Sequence, residues 1–187
     1  MELINYENHV CDDRTNEIKE IISGKIYYMS GGSPFHAQII GRILKKFNNH
    51  FDSDDDCEVY TSDIDVYMDA ENIKDYVRPD ISIICDNITE ETKEYRGSPA
   101  LIVEVSSPNT RLRDRNEKLK LFEKAGVKEY WIVDPKLKLI EQYVLENDVY
   151  STKAIVTLFD KDEGTVVKST TFEGLEIDLT EVFRKKI

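Results

Sequence analysis

Ala100-Leu101-Ile102-Val103-Glu104-Val105-Ser106, followed by Arg111 to Ala125 and then Glu129-Tyr130-Trp131-Ile132-Val133, is the stretch on which the fold turns. The first segment is a short apolar run of the kind buried on both faces of a sheet, interrupted by one carboxylate. Pro108-Asn109-Thr110 breaks it. Leu112, Leu119, Phe122 and Ala125 then recur at a spacing that lets one helix face the core, and Gly126 is placed to cap it. Glu129 to Val133 is a second apolar strand, stopped by Asp134-Pro135, with Tyr130 and Trp131 read as core aromatics. Two strands joined by so long a helical crossover are expected to run parallel.

Upstream, Glu17 to Ile22 and Lys25 to Met29 flank Ser23-Gly24, a turn dipeptide between β-branched and aromatic runs, which predicts a hairpin. Ile39, Ile40, Ile43, Leu44 and Phe47 recur at helical spacing between Phe35 and Phe51. Asp52 to Asp56 is nearly all acidic and reads as a solvated loop. Glu58 to Asp69 alternates like a strand, and Asp80 to Cys85 is another short apolar run. Lys138 to Leu145, Val149 to Phe159 and Thr165 to Phe172 add strands, and a short helix over Leu179 to Arg184 closes the chain. The order predicts one domain over residues 1–187. Its class is α/β (α+β), a mixed central sheet flanked by helices, with an N-terminal hairpin and a β-rich C-terminal tail.

The bulk numbers bound the function. The 187 residues are 40% hydrophobic and 33% charged, and no apolar run approaches the roughly 18 residues that a membrane-spanning helix needs. No membrane role is expected. The acidic, polar N-terminus lacks a secretory pattern, so a cytoplasmic protein is expected. Cys11, Cys57 and Cys85 are far apart and show no CxxC spacing, which reads as reduced thiols. The net charge of −12 argues against a protein that coats nucleic acid. Arg111, Arg113, Arg115, Lys118, Lys120, Lys124 and Lys128 nonetheless make one segment locally basic, a pattern shared by substrate edges and solvated helix faces alike.

Chemistry concentrates at a few carboxylates. Asp80 follows Pro79 at the head of an apolar strand, and Glu104 sits inside another. A lone buried carboxylate costs several kcal/mol unless a metal, a cation or a hydrogen-bond network compensates it. Two of them on neighbouring strands suit a hard cation such as Mg²⁺, while an arginine partner would serve a purely structural role. Strand alternation also sets Glu20 between Ile18 and Ile22 on an apolar face. Asp114 and Lys118 are four apart on one helix, which is equally the spacing of a surface ion pair.

Pro79-Asp80 followed by Glu104-Val105-Ser106 resembles the PD-(D/E)XK nuclease superfamily, with Ser106 where that motif has its lysine. The chain is more specifically similar to the Uma-type restriction-endonuclease family. The likeness is carried by Glu20 to Ile26, Ser33-Pro34-Phe35-His36, Arg78-Pro79-Asp80, Val103 to Thr110, Asp114, Lys118, and Gly126 to Pro135. It implies a restriction-endonuclease-like fold and a metal-dependent endonuclease. Asp80 and Glu104 would be the ligands of Mg²⁺, with Mn²⁺ as a substitute, and Lys118 the relocated cation beside the attacking water. Glu20 would be an auxiliary ligand or water-positioning group. His36, Ser106, Arg111, Arg113 and Arg115 would face a nucleic-acid substrate, DNA before RNA, and a homodimer is compatible with it. The rival reading is a non-catalytic nucleic-acid-binding or regulatory module that keeps the fold.

Overall fold

Ser23 and Gly24 both take positive φ, 51° and 73°, the two-residue loop whose twist matches that of its flanking strands. It joins β1 (Lys19–Ile22) to β2 (Lys25–Tyr28) in antiparallel register. The Asp75 carboxylate accepts hydrogen bonds from the amides of Ser23 and Gly24, at 2.6 and 3.0 Å, and so ties the turn to the rest of the chain. The computed structural model describes residues 18–51, 56–68, 75–86, 88–89, 94–159 and 164–184. The acidic run at 52–55, Cys11 and Asp69 lie outside the described residues.

Helix α1 (Pro34–His50) starts where Ser33 Oγ accepts from the His36 amide and Pro34 occupies the first helical position, a favourable pairing of cap and fixed φ. Its buried stripe is Ile39, Ile43 and Phe47. The expected strand over Glu58–Asp69 is divided into β3 (Glu58–Thr61) and β4 (Val66–Tyr67). Between them the Ile64 amide turns back to the Thr61 carbonyl. There follow β5 (Tyr76–Val77), β6 (Ile81–Ile84), β7 (Tyr95–Arg96) and β8 (Leu101–Val105). Short β5 and β7 carry too few residues for periodicity to reveal them.

The helix expected over Arg111 to Ala125 is interrupted. It runs as α2 (Arg111–Arg113), a π-helical turn at Asp114–Lys118, and α3 (Leu119–Ala125). Such a turn holds one residue more than an α-turn and shifts the faces on either side of it. Leu112, expected in the core, is therefore 77% exposed, while Asp114 and Lys118 are each 1% exposed. Gly126 caps the helix at φ 81°. The remaining elements are β9 (Glu129–Asp134), β10 (Leu139–Glu146), β11 (Val149–Thr157), β12 (Val166–Lys168), β13 (Glu176–Asp178) and α4 (Leu179–Val182).

The central sheet runs β11-β10-β9-β8-β6-β3, and its one parallel pair is β8 with β9, the crossover pair. A second sheet runs β2-β1-β5-β4-β7, and β12 pairs with β13. Alternation splits the central strands between two cores. Leu101, Val103, Val105, Trp131 and Val133 pack with α1 and α4. Ile102, Tyr130 and Ile132 face the other way, towards Phe122, Val127, Ile22, Val66 and Val77. Glu104 lies on this second side, between the helical crossover and the hairpin sheet.

Cys57 and Cys85 are joined by a disulfide, which corrects the expectation of reduced thiols. Antiparallel pairing of Glu58 with Ile84 brings the two residues just outside those ends face to face, a proximity that sequence separation conceals. Among the described residues no helix is long and apolar enough to cross a membrane.

Candidate active site

The antiparallel register that pairs Ile81 with Val103 carries Asp80 to the flank of Glu104. Asp80 Oδ2 accepts from the Val105 amide at 2.7 Å, and His36 Nε2 lies 3.4 Å from Asp80 Oδ1. Lys118 arrives from the π-helical turn. Its Nζ donates to Glu104 Oε1 at 2.7 Å and to Glu20 Oε1 at 2.8 Å. Glu20 Oε1 also accepts from the Arg78 amide at 3.0 Å, and its Oε2 faces Arg113 Nη2 at 3.7 Å. Asp114 Oδ2 accepts from Ser106 Oγ at 2.9 Å. Strand, hairpin and helix thus bring Glu20, Asp80, Glu104, Asp114 and Lys118 into one buried cluster, with His36 at its rim.

Charge in this cluster is unbalanced. Four carboxylates are answered by Lys118, Arg113 and, when protonated, His36. Burial is the main force pushing the Glu104 carboxyl well above its ordinary range; Lys118 opposes this, and the like charges of Asp80, Asp114 and Glu20 add to it. Asp114 is also raised, chiefly by burial. Burial works against the Lys118 ammonium, yet Glu104 and Glu20 more than offset this and hold it in the charged form. The Asp80 hydrogen bond raises the His36 imidazole above its ordinary value.

A hard divalent cation fits this donor set. The donors are oxygens, the site carries surplus negative charge, and Asp80 and Glu104 retain access to solvent through side chains that are 12% and 8% exposed. No three His, Cys, Asp or Glu side chains converge into a chelating group among the described residues. Mg²⁺ does not require one, because it commonly binds one or two carboxylates and keeps several waters.

The basic segment is answered by carboxylates at each of its three arginines. Arg111 Nη2 bonds Asp134 Oδ2 at 2.7 Å. Arg115 Nε donates to Glu141 Oε1 at 3.0 Å, and Arg115 Nη1 reaches Ser106 Oγ at 3.5 Å. Arg113 turns inward, over the Tyr27 ring at 4.8 Å as well as towards Glu20. The sequence marks Asp134 only as a strand stop, and nothing in it separates Glu141 from a surface acid. Asp114 is signalled by its four-residue spacing from Lys118 and by its place in the family resemblance.

The mixed sheet flanked by helices is a restriction-endonuclease-like fold. The sequence matches the Uma2 family, described as "Putative restriction endonuclease", over residues 5–180, and the chain belongs to that family. The uncharacterized protein slr1290 of Synechocystis sp. is 37% identical over 111 residues; the match covers 59% of this chain and spans only 57% of that protein's length. The crystal structure of a "putative nuclease belonging to DUF820" from Anabaena variabilis superposes with a TM-score of 0.72 over 90% of this chain and 91% of that one. At 18% identity, that likeness concerns the fold.

Proposed function

We propose that the protein is a metal-dependent endonuclease that hydrolyses phosphodiester bonds of nucleic acid, DNA before RNA. The observation that carries this reading is the placing of Asp80 beside Glu104 on neighbouring strands with the Lys118 ammonium 2.7 Å from Glu104. Asp80 and Glu104 would hold Mg²⁺ or Mn²⁺, which when bound supplies Lewis acidity at the scissile phosphate. The protein's own groups do the rest. Lys118 keeps a permanent positive charge where negative charge develops in the transition state, in a site too dry to screen it. His36, on the accessible side of Asp80, can donate to a phosphate oxygen, and Arg111 presents its guanidinium at the neighbouring edge. Arg115 and Asp114 hold Ser106, and Arg113 holds the hairpin against the helix.

The test is calorimetric titration of Mg²⁺ or Mn²⁺ into the wild type and Asp80→Ala, with cleavage of plasmid DNA and of RNA followed in parallel. Loss of both ion binding and cleavage in the variant is expected. A second reading, a binding or regulatory module on the same fold, is favoured by the net charge of −12 and by the pairing of Arg111 and Arg115 with internal carboxylates. Ion-independent binding of nucleic acid without cleavage would select it.

A further inference from the structure

Glu20 differs from Asp80 and Glu104 in being sealed. It is 0% exposed. Its Oε1 is already taken by the Lys118 ammonium and the Arg78 amide, and Oε2 is buried without a hydrogen-bond partner, 3.7 Å from Arg113 Nη2. A hydrated cation arriving at Asp80 and Glu104 meets no such barrier there. It does meet the ammonium, which sits on Glu104 Oε1 and competes with it for the same carboxylate. Ion and lysine therefore compete for Glu104, and Glu20 is the second half of the ammonium's seat.

We propose that Glu20 is a positioning residue for Lys118 rather than an ion ligand: it retains the ammonium in the site when Glu104 turns to a divalent ion. Glu20 also fastens the start of the Arg78-Pro79-Asp80 segment through the Arg78 amide. One carboxylate on the hairpin thus holds both the lysine and the approach to Asp80. This rests on Asp80 and Glu104 being the ion site.

The experiment is Mn²⁺ titration by calorimetry on the full chain for the wild type, Glu104→Gln, Glu20→Gln, Lys118→Met and the double variant Glu20→Gln/Lys118→Met. Glu104→Gln should lose Mn²⁺ binding, and retention of it would overturn the ion-site reading itself. Lys118→Met should bind Mn²⁺ about tenfold more tightly, because a competing cation is gone. That tightening should be larger in the Glu20→Gln background, where a displaced ammonium has no other seat. Through-space charge effects largely cancel in this cycle, leaving the coupling between Glu20 and Lys118. Equal tightening in both backgrounds, or none, would sink the proposal with the ion site intact. If Lys118→Met does not fold, manganese-soaked crystals of the wild type decide. An ion on Asp80 and Glu104 with Lys118 still on Glu20 supports the proposal, and an ion coordinated by Glu20 overturns it.

Discussion

Glu104 and Glu129 are both carboxylates buried in apolar strands of the same sheet, on β8 and β9, and they are satisfied in opposite ways. Glu129, 0% exposed, is surrounded by neutral donors. Trp131 Nε1 and Gln142 Nε2 donate to its Oε1 at 2.6 and 2.7 Å. Ser169 Oγ and the amides of Thr170 and Thr171 donate to its Oε2 at 2.8, 3.1 and 3.0 Å. That carboxylate is saturated, and it pins the segment after β12 to the central sheet. Glu104 shares a single ammonium with a second carboxylate among four clustered acids. Burial alone does not mark a functional acid; burial with too few donors and too many like charges does.

The comparison breaks most visibly at Glu129. Glu129→Leu would leave the Trp131 indole and the Thr170 amide without an acceptor and would take one acceptor from Gln142 Nε2 and from the Thr171 amide, which keep the Lys168 carbonyl and Ser169 Oγ; each stranded donor costs about 1–3 kcal/mol. A loss above about 3 kcal/mol in chemical denaturation is expected. A change below about 1 kcal/mol would show that the hub is dispensable.

The same conservative substitution should act with opposite signs at the two sites. Glu129→Gln sets an amide donor among donors and should cost about 2 kcal/mol. Glu104→Gln relieves like-charge crowding, so the fold should be as stable as wild type or more so, while cleavage is lost. If both variants are destabilised alike, Glu104 is a structural acid like Glu129.

A smaller effect is expected at the basic edge. Replacing Arg111, Arg113 and Arg115 together with Gln should weaken nucleic-acid binding and flatten its dependence on salt. Equal salt slopes in filter-binding assays for variant and wild type would confine these arginines to their internal partners Asp134, Glu20 and Glu141.

The smallest effect is at the rim. His36 has a raised folded-state pKa through Asp80, so the stability it contributes is fully present below its ordinary value of about 6.5. That contribution is lost as pH rises through the folded value. The gap in denaturation midpoint between wild type and His36→Gln should therefore be widest near pH 6 and close towards alkaline pH. A gap independent of pH would mean that the imidazole only packs. The ring lies against Gly32, where an added Cβ would meet its Cδ2 at 2.6 Å. Gly32→Ala should consequently displace the ring and shrink the same gap.

Much of this protein was legible in the sequence because local chemistry decided it. Ser23-Gly24 specified its hairpin, the helical spacing from Ile39 to Phe47 specified α1, and the apolar runs around Glu104 and Trp131 the two parallel strands. Asp80 and Glu104 stood out because a charge in or beside an apolar run needs compensation, and Lys118 through the family resemblance. What the pairs do to one another belongs to the tertiary structure. Only the π-helical turn turns Leu112 outward and Asp114 and Lys118 inward, since one extra residue in a turn leaves no trace in a periodic pattern. Only strand register brings Cys57 to Cys85 and Asp80 to Glu104. Whether a buried acid is saturated, as Glu129 is, or left short of donors, as Glu104 is, depends on donors that arrive from residues up to 42 positions away. Sequence shows which charges need partners, but the partners are chosen by packing between segments that no local rule connects.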